Sequence, residues 1–173
     1  MEQHTTDNSP ANLSDGQKRA IIDFVRSHPD GVIATISPDG DPQASVVYFS
    51  IDDDLNLSFT TKDKTRKAQN IRQHGRVSVA IHQADSQTVV KLAGTAQEAA
   101  DQDAVSAIYR QTVSAAERTA TDTVPPIARL NAGDYTAFTI TPDFIQMLGC
   151  GRGDSYRQAL EHATDQPEYG NPN

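Results

Sequence analysis

The sequence predicts a mainly β domain, a small antiparallel barrel with helices at its flanks. Short β-rich runs follow one another at regular spacing, with turn residues between them. Two stretches of helical periodicity interrupt these runs instead of alternating with each one, as a parallel doubly wound sheet would require. No GxGxxG follows a strand and no GxxxxGK followed by Ser or Thr occurs, so neither dinucleotide nor P-loop binding has support.

Residues 1–13 are polar, contain Pro10 and show no periodicity, so a disordered lead is expected there. One domain then covers residues 14–150. Ser14 or Asp15 caps a helix in which Ala20, Ile21, Phe24 and Val25 recur at helical spacing, and His28-Pro29-Asp30-Gly31 ends it. Val32 to Ile36 forms a first strand, Pro38-Asp39-Gly40-Asp41 a turn and Ala44 to Ile51 a second strand, which together make a hairpin. Asp52-Asp53-Asp54 turns the chain again, and Leu55 to Thr60 alternates apolar and polar residues as a half-buried strand does. Thr65 to Gln73 reads as a short helix with Ala68 and Ile71 facing inward. Val77 to Ile81 is a fourth strand and Val89 to Ala96 a fifth, with Gly94 marking a bulge. Asp101 to Ser114 is helical, with Ala104, Val105, Ile108 and Thr112 on one face, and Pro125-Pro126 breaks the chain. Tyr135 to Thr141 and Phe144 to Leu148 read as two closing strands separated by Thr141-Pro142-Asp143. Residues 151–173 are expected to be a mostly mobile tail, in which Tyr156 to His162 has the pattern of one or two helical turns.

With 173 residues the chain is the size of one domain. Hydrophobic residues make up 36% and aromatics 6%, without tryptophan, which fits a modest core. Cys150 is the single cysteine, so the chain can build neither a disulfide framework nor a thiolate zinc site, and a reducing compartment fits best. His4, His28, His74, His82 and His162 show no H-x-x-x-H spacing, so no metal site is expected. No apolar run approaches the roughly 20 residues needed to span a bilayer, and MEQHTTDNSP lacks a basic segment followed by an apolar one. A cytoplasmic protein with no membrane partner is expected. The net charge of −8 argues against a nucleic-acid partner, which needs a clustered basic face.

Charge distribution says more than its sum. Lys62, Lys64, Arg66, Lys67, Arg72 and Arg76 fall in one short window that holds a single acid, Asp63. The window is either an anion site or a solvated helix face. Thr60 and Thr61 supply hydroxyls at a strand end, and Thr65 supplies another at a helix start, where unsatisfied N–H groups collect. Arg66 and Lys67 add cations to that first turn, where the helix dipole repels them unless an anion arrives. A phosphate fits, since Arg grips its oxygens in bidentate fashion and Lys approaches as a point charge.

Phe59-Thr60, then Thr65-Arg66-Lys67-Ala68, then Arg76-Val77-Ser78-Val79 resembles the flavin-phosphate segment of the pyridoxamine 5'-phosphate oxidase family and its split-barrel relatives. The resemblance continues more weakly from Gly31 to Gly94, through Asp39-Gly40-x-Pro42 and Lys91 to Ala96. It implies an FMN-binding split β-barrel, a homodimer with the flavin at its interface, and a flavin-dependent oxidoreductase acting on a small molecule. Residue by residue, it implies that Thr60, Arg66 and Lys67 hold phosphate or ribityl oxygens, with Thr61 and Thr65 beside them, and that Ser45, Val46, Val47 and Tyr48 lie along the ring edge. Val46 and Val47 also read as ordinary strand core.

Two departures weigh against vitamin B6 oxidation. The family's true oxidases carry Tyr-x-x-x-Arg-x-x-x-Ser on the later helix and a C-terminal Trp with Arg-x-His-Arg, whereas Tyr109 and Arg110 are adjacent here and Trp is absent. The same scaffold carries deazaflavin and haem chemistry, so a deazaflavin or haem is the alternative cofactor, with His162 the candidate haem ligand, and a non-catalytic flavin-binding stress protein is a further alternative. Cys150 sits between Gly149 and Gly151 with no supporting histidine and reads as a loop thiol. His74 reads as a surface residue capping a helix end or as a ligand contact, and Arg152-Gly153-Asp154 as a chance tripeptide.

Overall fold

Ser14 starts the first helix by a reciprocal bond: its Oγ accepts from the Gln17 N–H at 3.3 Å while Gln17 Oε1 accepts from the Ser14 N–H at 2.8 Å. That capping box fixes helix α1 at Asp15–Ser27. The computed structural model describes residues 8–119, 126–129 and 133–149. The helix buries Ile21, Ile22 and Val25, so its inward face is turned by one position from the expected stripe and Ala20 faces solvent. Ahead of it, where the sequence predicts a disordered lead, residues 10–12 form a 3-10 turn with Pro10 at its start and Leu13 packs on the core. Proline's fixed φ suits that first position, and Leu13 supplies the apolar contact that polar residues could not.

Six strands close into a barrel in the order β1-β2-β3-β6-β5-β4, every neighbouring pair antiparallel. They are β1 (Asp30–Ile36), β2 (Pro42–Ile51), β3 (Leu57–Lys62), β4 (Arg76–Gln83), β5 (Thr88–Glu98) and β6 (Tyr135–Gly149). Two more helices, α2 (Arg66–His74) and α3 (Gln102–Thr119), flank them. The β1–β2 hairpin turns through Ser37 to Asp41, where Gly40 adopts φ +89° and donates its N–H to Ser37 O. Inward positions supply the core: Ile33, Phe49, Leu57, Phe59, Ile81, Leu92, Phe138, Ile140 and Ile145 are fully buried. Phe59 sits between Phe49 and Phe138, at ring-centroid distances of 5.9 and 5.5 Å.

The closing strand departs from expectation. Tyr135–Gly149 is one strand, not two, because the ladder with β5 absorbs Pro142 without breaking. Gly94 pairs with Pro142 and Ala93 with Phe144, so Asp143 is the extra residue of a bulge. A Cβ on Gly94 would lie 2.9 Å from Pro142 Cα and closer still to the Thr141 carbonyl oxygen. Glycine is what lets the strands approach there. The bulged Asp143 pairs with Arg76 at the start of β4, which holds the Asp143 carboxyl below the usual carboxylate range.

Helix α3 lies across the outer face of β2, β3 and β6, burying Val105, Thr112, Ala115 and Ala116, and begins where Asp101 Oδ1 accepts from the Ala104 N–H. The expected face of α3 was right at Val105 and Thr112, while Ala104 and Ile108 are half-buried. Among the described residues no helix is long and apolar enough to cross a membrane. Residues 1–7, Cys150 and the tail expected over 151–173, with His162 and the helical turn at Tyr156, lie outside the described residues, as does Pro125.

Candidate functional site

The site is built where β3 hands the chain to α2. Along β3 the side chains alternate, so Thr61 points toward the end of the barrel interior and Thr60 points out beneath α3. Asp63 and Lys64 turn the chain, and Thr65 caps α2, its Oγ1 accepting from the Ala68 N–H at 3.4 Å. Thr65 donates its one hydroxyl hydrogen to Lys62 O at 3.0 Å. At 3.3 Å from Thr65 Oγ1, Thr61 must therefore donate to it, and in turn accepts from Lys67 Nζ at 3.4 Å. A directed chain from Lys67 through Thr61 and Thr65 to Lys62 thus ties the helix start to the strand end.

Lys67, Arg66 and Thr65 line one wall of an open pocket of about 510 Å³, and Gln43, Ala44 and Ser45 of β2 line the other. Thr65 O and Oγ1 take the N–H groups of Gln69 and Ala68, so those of Arg66 and Lys67 are the ones left for a ligand. Of the basic window, Arg72 is bonded to both Asp63 and Glu98, and Arg76 to Asp143. Among the described residues, neither Arg66 nor Lys67 joins an ion pair. Burial without a counter-ion holds the Lys67 ammonium below the ordinary lysine range. Arg72 acts as a clamp on the turn: its guanidinium holds Asp63 through both side chain and carbonyl, and holds Glu98, which also accepts from Thr136 at 2.6 Å. Its hydrogen bond holds the Glu98 carboxyl below the usual carboxylate range.

Of the residues singled out by sequence, the pocket brings together Ser45, Thr65, Arg66 and Lys67, with Thr61 bonded beneath them. Thr60 is not brought to it. Its hydroxyl meets Thr112 Oγ1 at 3.0 Å, and since Thr112 donates to Ile108 O, Thr60 spends its hydrogen on Thr112. Val47 belongs to the barrel core, whereas Val46, 71% exposed, and half-buried Tyr48 project outward from β2. His74 is exposed on the last turn of α2, and the cap there is Gly75, at φ +63° with its N–H on Ile71 O. Sequence reading missed Gln43, although its i, i+2 relation to Ser45 places both on one strand face.

A second cleft, about 930 Å³, opens at the far end of β2 between α3 and the outer faces of β2, β3 and β6. Arg110, Ser114 and Arg118, spaced one helical turn apart, line it opposite Ser50, Ser58 and Thr139. That i, i+4, i+8 spacing is a signal present in the sequence. Tyr109 stacks on Tyr135 at 4.4 Å, and burial raises its pKa.

Residues 18–148 match the family model described as pyridoxamine 5'-phosphate oxidase. No curated protein sequence matches the chain. Among solved structures, a conserved hypothetical protein from Mycobacterium tuberculosis aligns with a TM-score of 0.60 at 23% identity, over 99% of this chain and 98% of its own. An F420 reductase aligns with a TM-score of 0.58 at 21% identity, over 72% of this chain and 94% of its own. A heme binding protein from Mycobacterium smegmatis gives a TM-score of 0.58 at 21% identity, over 82% of this chain and 56% of its own. At these identities the likeness shows the fold.

Proposed function

This chain belongs to the pyridoxamine 5'-phosphate oxidase family, and from that premise we propose that it binds FMN, with the flavin phosphate at the start of α2, and serves as a flavin-dependent oxidoreductase for a small molecule. The observation that carries this reading is the pair Arg66 and Lys67, cations at a helix N-terminus without ion-pair partners among the described residues, one of them half-buried. Such an arrangement is unfavourable until an anion neutralises it. The donors toward phosphate are the guanidinium of Arg66, the ammonium of Lys67 and their backbone N–H groups, while Thr61 and Thr65 orient Lys67 and the helix start. Ser45 faces them across the pocket. Val46 and Tyr48 offer the outer surface of β2 to the ring. Bound flavin supplies the electron chemistry, so no side chain of the chain has to act as acid or base. The small-molecule partner approaches by the cleft under α3, where Arg110 and Arg118 on the helix and Asp52 and Asp53 across from it favour a polar one.

A homodimer completes the proposal. The outer face of β1 and β2 leaves Val32, Ile36 and Val46 exposed, with Val32 and Val46 paired across the ladder. A second copy covers that strip.

The test compares FMN with riboflavin, which keeps the ring and ribityl chain but lacks the phosphate. Arg66→Ala and Lys67→Ala each remove a charge-assisted contact of about 1.5–3 kcal/mol, a ten- to hundredfold loss in FMN affinity, and leave riboflavin binding unchanged. Equal losses for both ligands, followed by flavin fluorescence, would sink the phosphate assignment. A Soret band in place of flavin absorption would move the cofactor to haem, and tighter binding of F420 than of FMN would move it to the deazaflavin.

A further inference from the structure

Gln43 lines the anion pocket, and the direction of its carboxamide is set from below. Asn70, on α2 one turn beyond Arg66 and 3% exposed, donates from Nδ2 to Thr35 Oγ1 at 3.0 Å and to Gln43 Oε1 at 3.2 Å. Thr35 in turn donates its single hydrogen to the main-chain carbonyl of Gln43 at 3.5 Å, so the Thr35 oxygen must accept from Asn70. Asn70 has to present its amine to Thr35, and the same amine can meet only the oxygen of the Gln43 side chain. That leaves the two hydrogens on Gln43 Nε2, for which no acceptor is present among the described residues.

We propose that Gln43 is a phosphate-binding residue of this site, a neutral donor whose Nε2 is turned to the anion by the positioning pair Asn70 and Thr35. The proposal rests on the reading that the pocket holds the phosphate of FMN. A phosphate monoester carries about −1.5 to −2 charges, which the two cations match, and three strong acceptor oxygens that each take more than one hydrogen bond, so a further neutral donor has an acceptor to meet. A third cation would add to the repulsion at the positive end of α2, whereas an amide adds donors without charge. Were the amide reversed, its oxygen would face the anion and repel it.

The experiment titrates the full chain with FMN and with riboflavin, in wild type, Gln43→Met, Gln43→Glu, Asn70→Ala and the double variant Gln43→Met with Asn70→Ala. Gln43→Met keeps the length of the side chain and removes the donor, so FMN affinity falls about tenfold and riboflavin affinity holds. Gln43→Glu sets a carboxylate against the phosphate and loses more. Asn70→Ala lowers FMN affinity alone, and in the Gln43→Met background it lowers it no further, because its effect runs through Gln43. Thermal unfolding without ligand reports folding of each variant, and Asn70→Ser replaces Asn70→Ala should the latter fail to fold. FMN affinity unchanged in Gln43→Met, equal losses for both ligands, or full additivity of the two substitutions overturns the proposal. Wild type that binds FMN no tighter than riboflavin overturns the phosphate reading itself, and is told apart by needing no variant.

Discussion

Lys67 is half-buried beside Thr61, and burial has already pushed its pKa down. A bound phosphate favours the charged form and raises it again, so FMN binding takes up a proton in the window between the two values. FMN affinity therefore stays high while Lys67 is protonated and falls as pH rises through the lowered pKa, ahead of the ordinary lysine value of about 10.4. Affinity measured against pH checks this: Lys67→Met binds more weakly throughout and loses that alkaline limb. The same shift acts on the unliganded protein with the opposite sign. Its folded pKa lies below the unfolded one, so the ligand-free chain is penalised at neutral pH and recovers as pH rises toward the unfolded value. Lys67→Met accordingly raises the melting temperature of the apo protein. That Thr65 starts a helix and sets Arg66 and Lys67 in its first turn was legible, because the three are neighbours and a helix start is a local event. That Thr60 lies away from this pocket was not legible, for the converse reason: the hydroxyl it meets, Thr112, is 52 positions away. Gln43 and Asn70 lie 27 apart, and only the closed barrel brings them together.

Elements were legible where their signals were local. Ser14, offered with Asp15 as the cap, marked the start of α1, and Gly94 inside a β-rich run marked a bulge. Pro142 misled, since a proline ends a strand by its missing N–H unless it sits at a bulge or an edge. Here Asp143 is bulged beside it, and β6 continues. The two features are one device, so Gly94→Ala tests both. Its methyl would strike the Thr141–Pro142 backbone, which no side-chain rotation relieves. Overpacking of this kind costs about 1–3 kcal/mol, seen as a lower urea midpoint with the slope unchanged. An unchanged midpoint would mean that the β5–β6 crossing is looser than its register implies.

For the whole molecule, spacing of short strands announced a small antiparallel barrel but not its order, which depends on pairings such as Val32 with Ala80 that no local pattern encodes. The uncovered face of β1 and β2 is likewise a property of the assembled sheet, and its prediction belongs here. Val46→Asp places a charge in the centre of the strip proposed to meet a second copy. The variant should run as a monomer in light scattering, with apo stability close to that of wild type because Val46 faces out. A variant that remains a dimer moves the interface elsewhere. The barrel's last strand also has a bearing on how the chain is made. Without β6, the pairings leave an open sheet in the order β3-β2-β1-β4-β5, and residues 135–149 alone join its two ends. On the ribosome, then, β3 and β5 each wait with a bare edge while α3 and the segment after it are synthesised, and during that interval another nascent chain competes with β6 for the same hydrogen bonds.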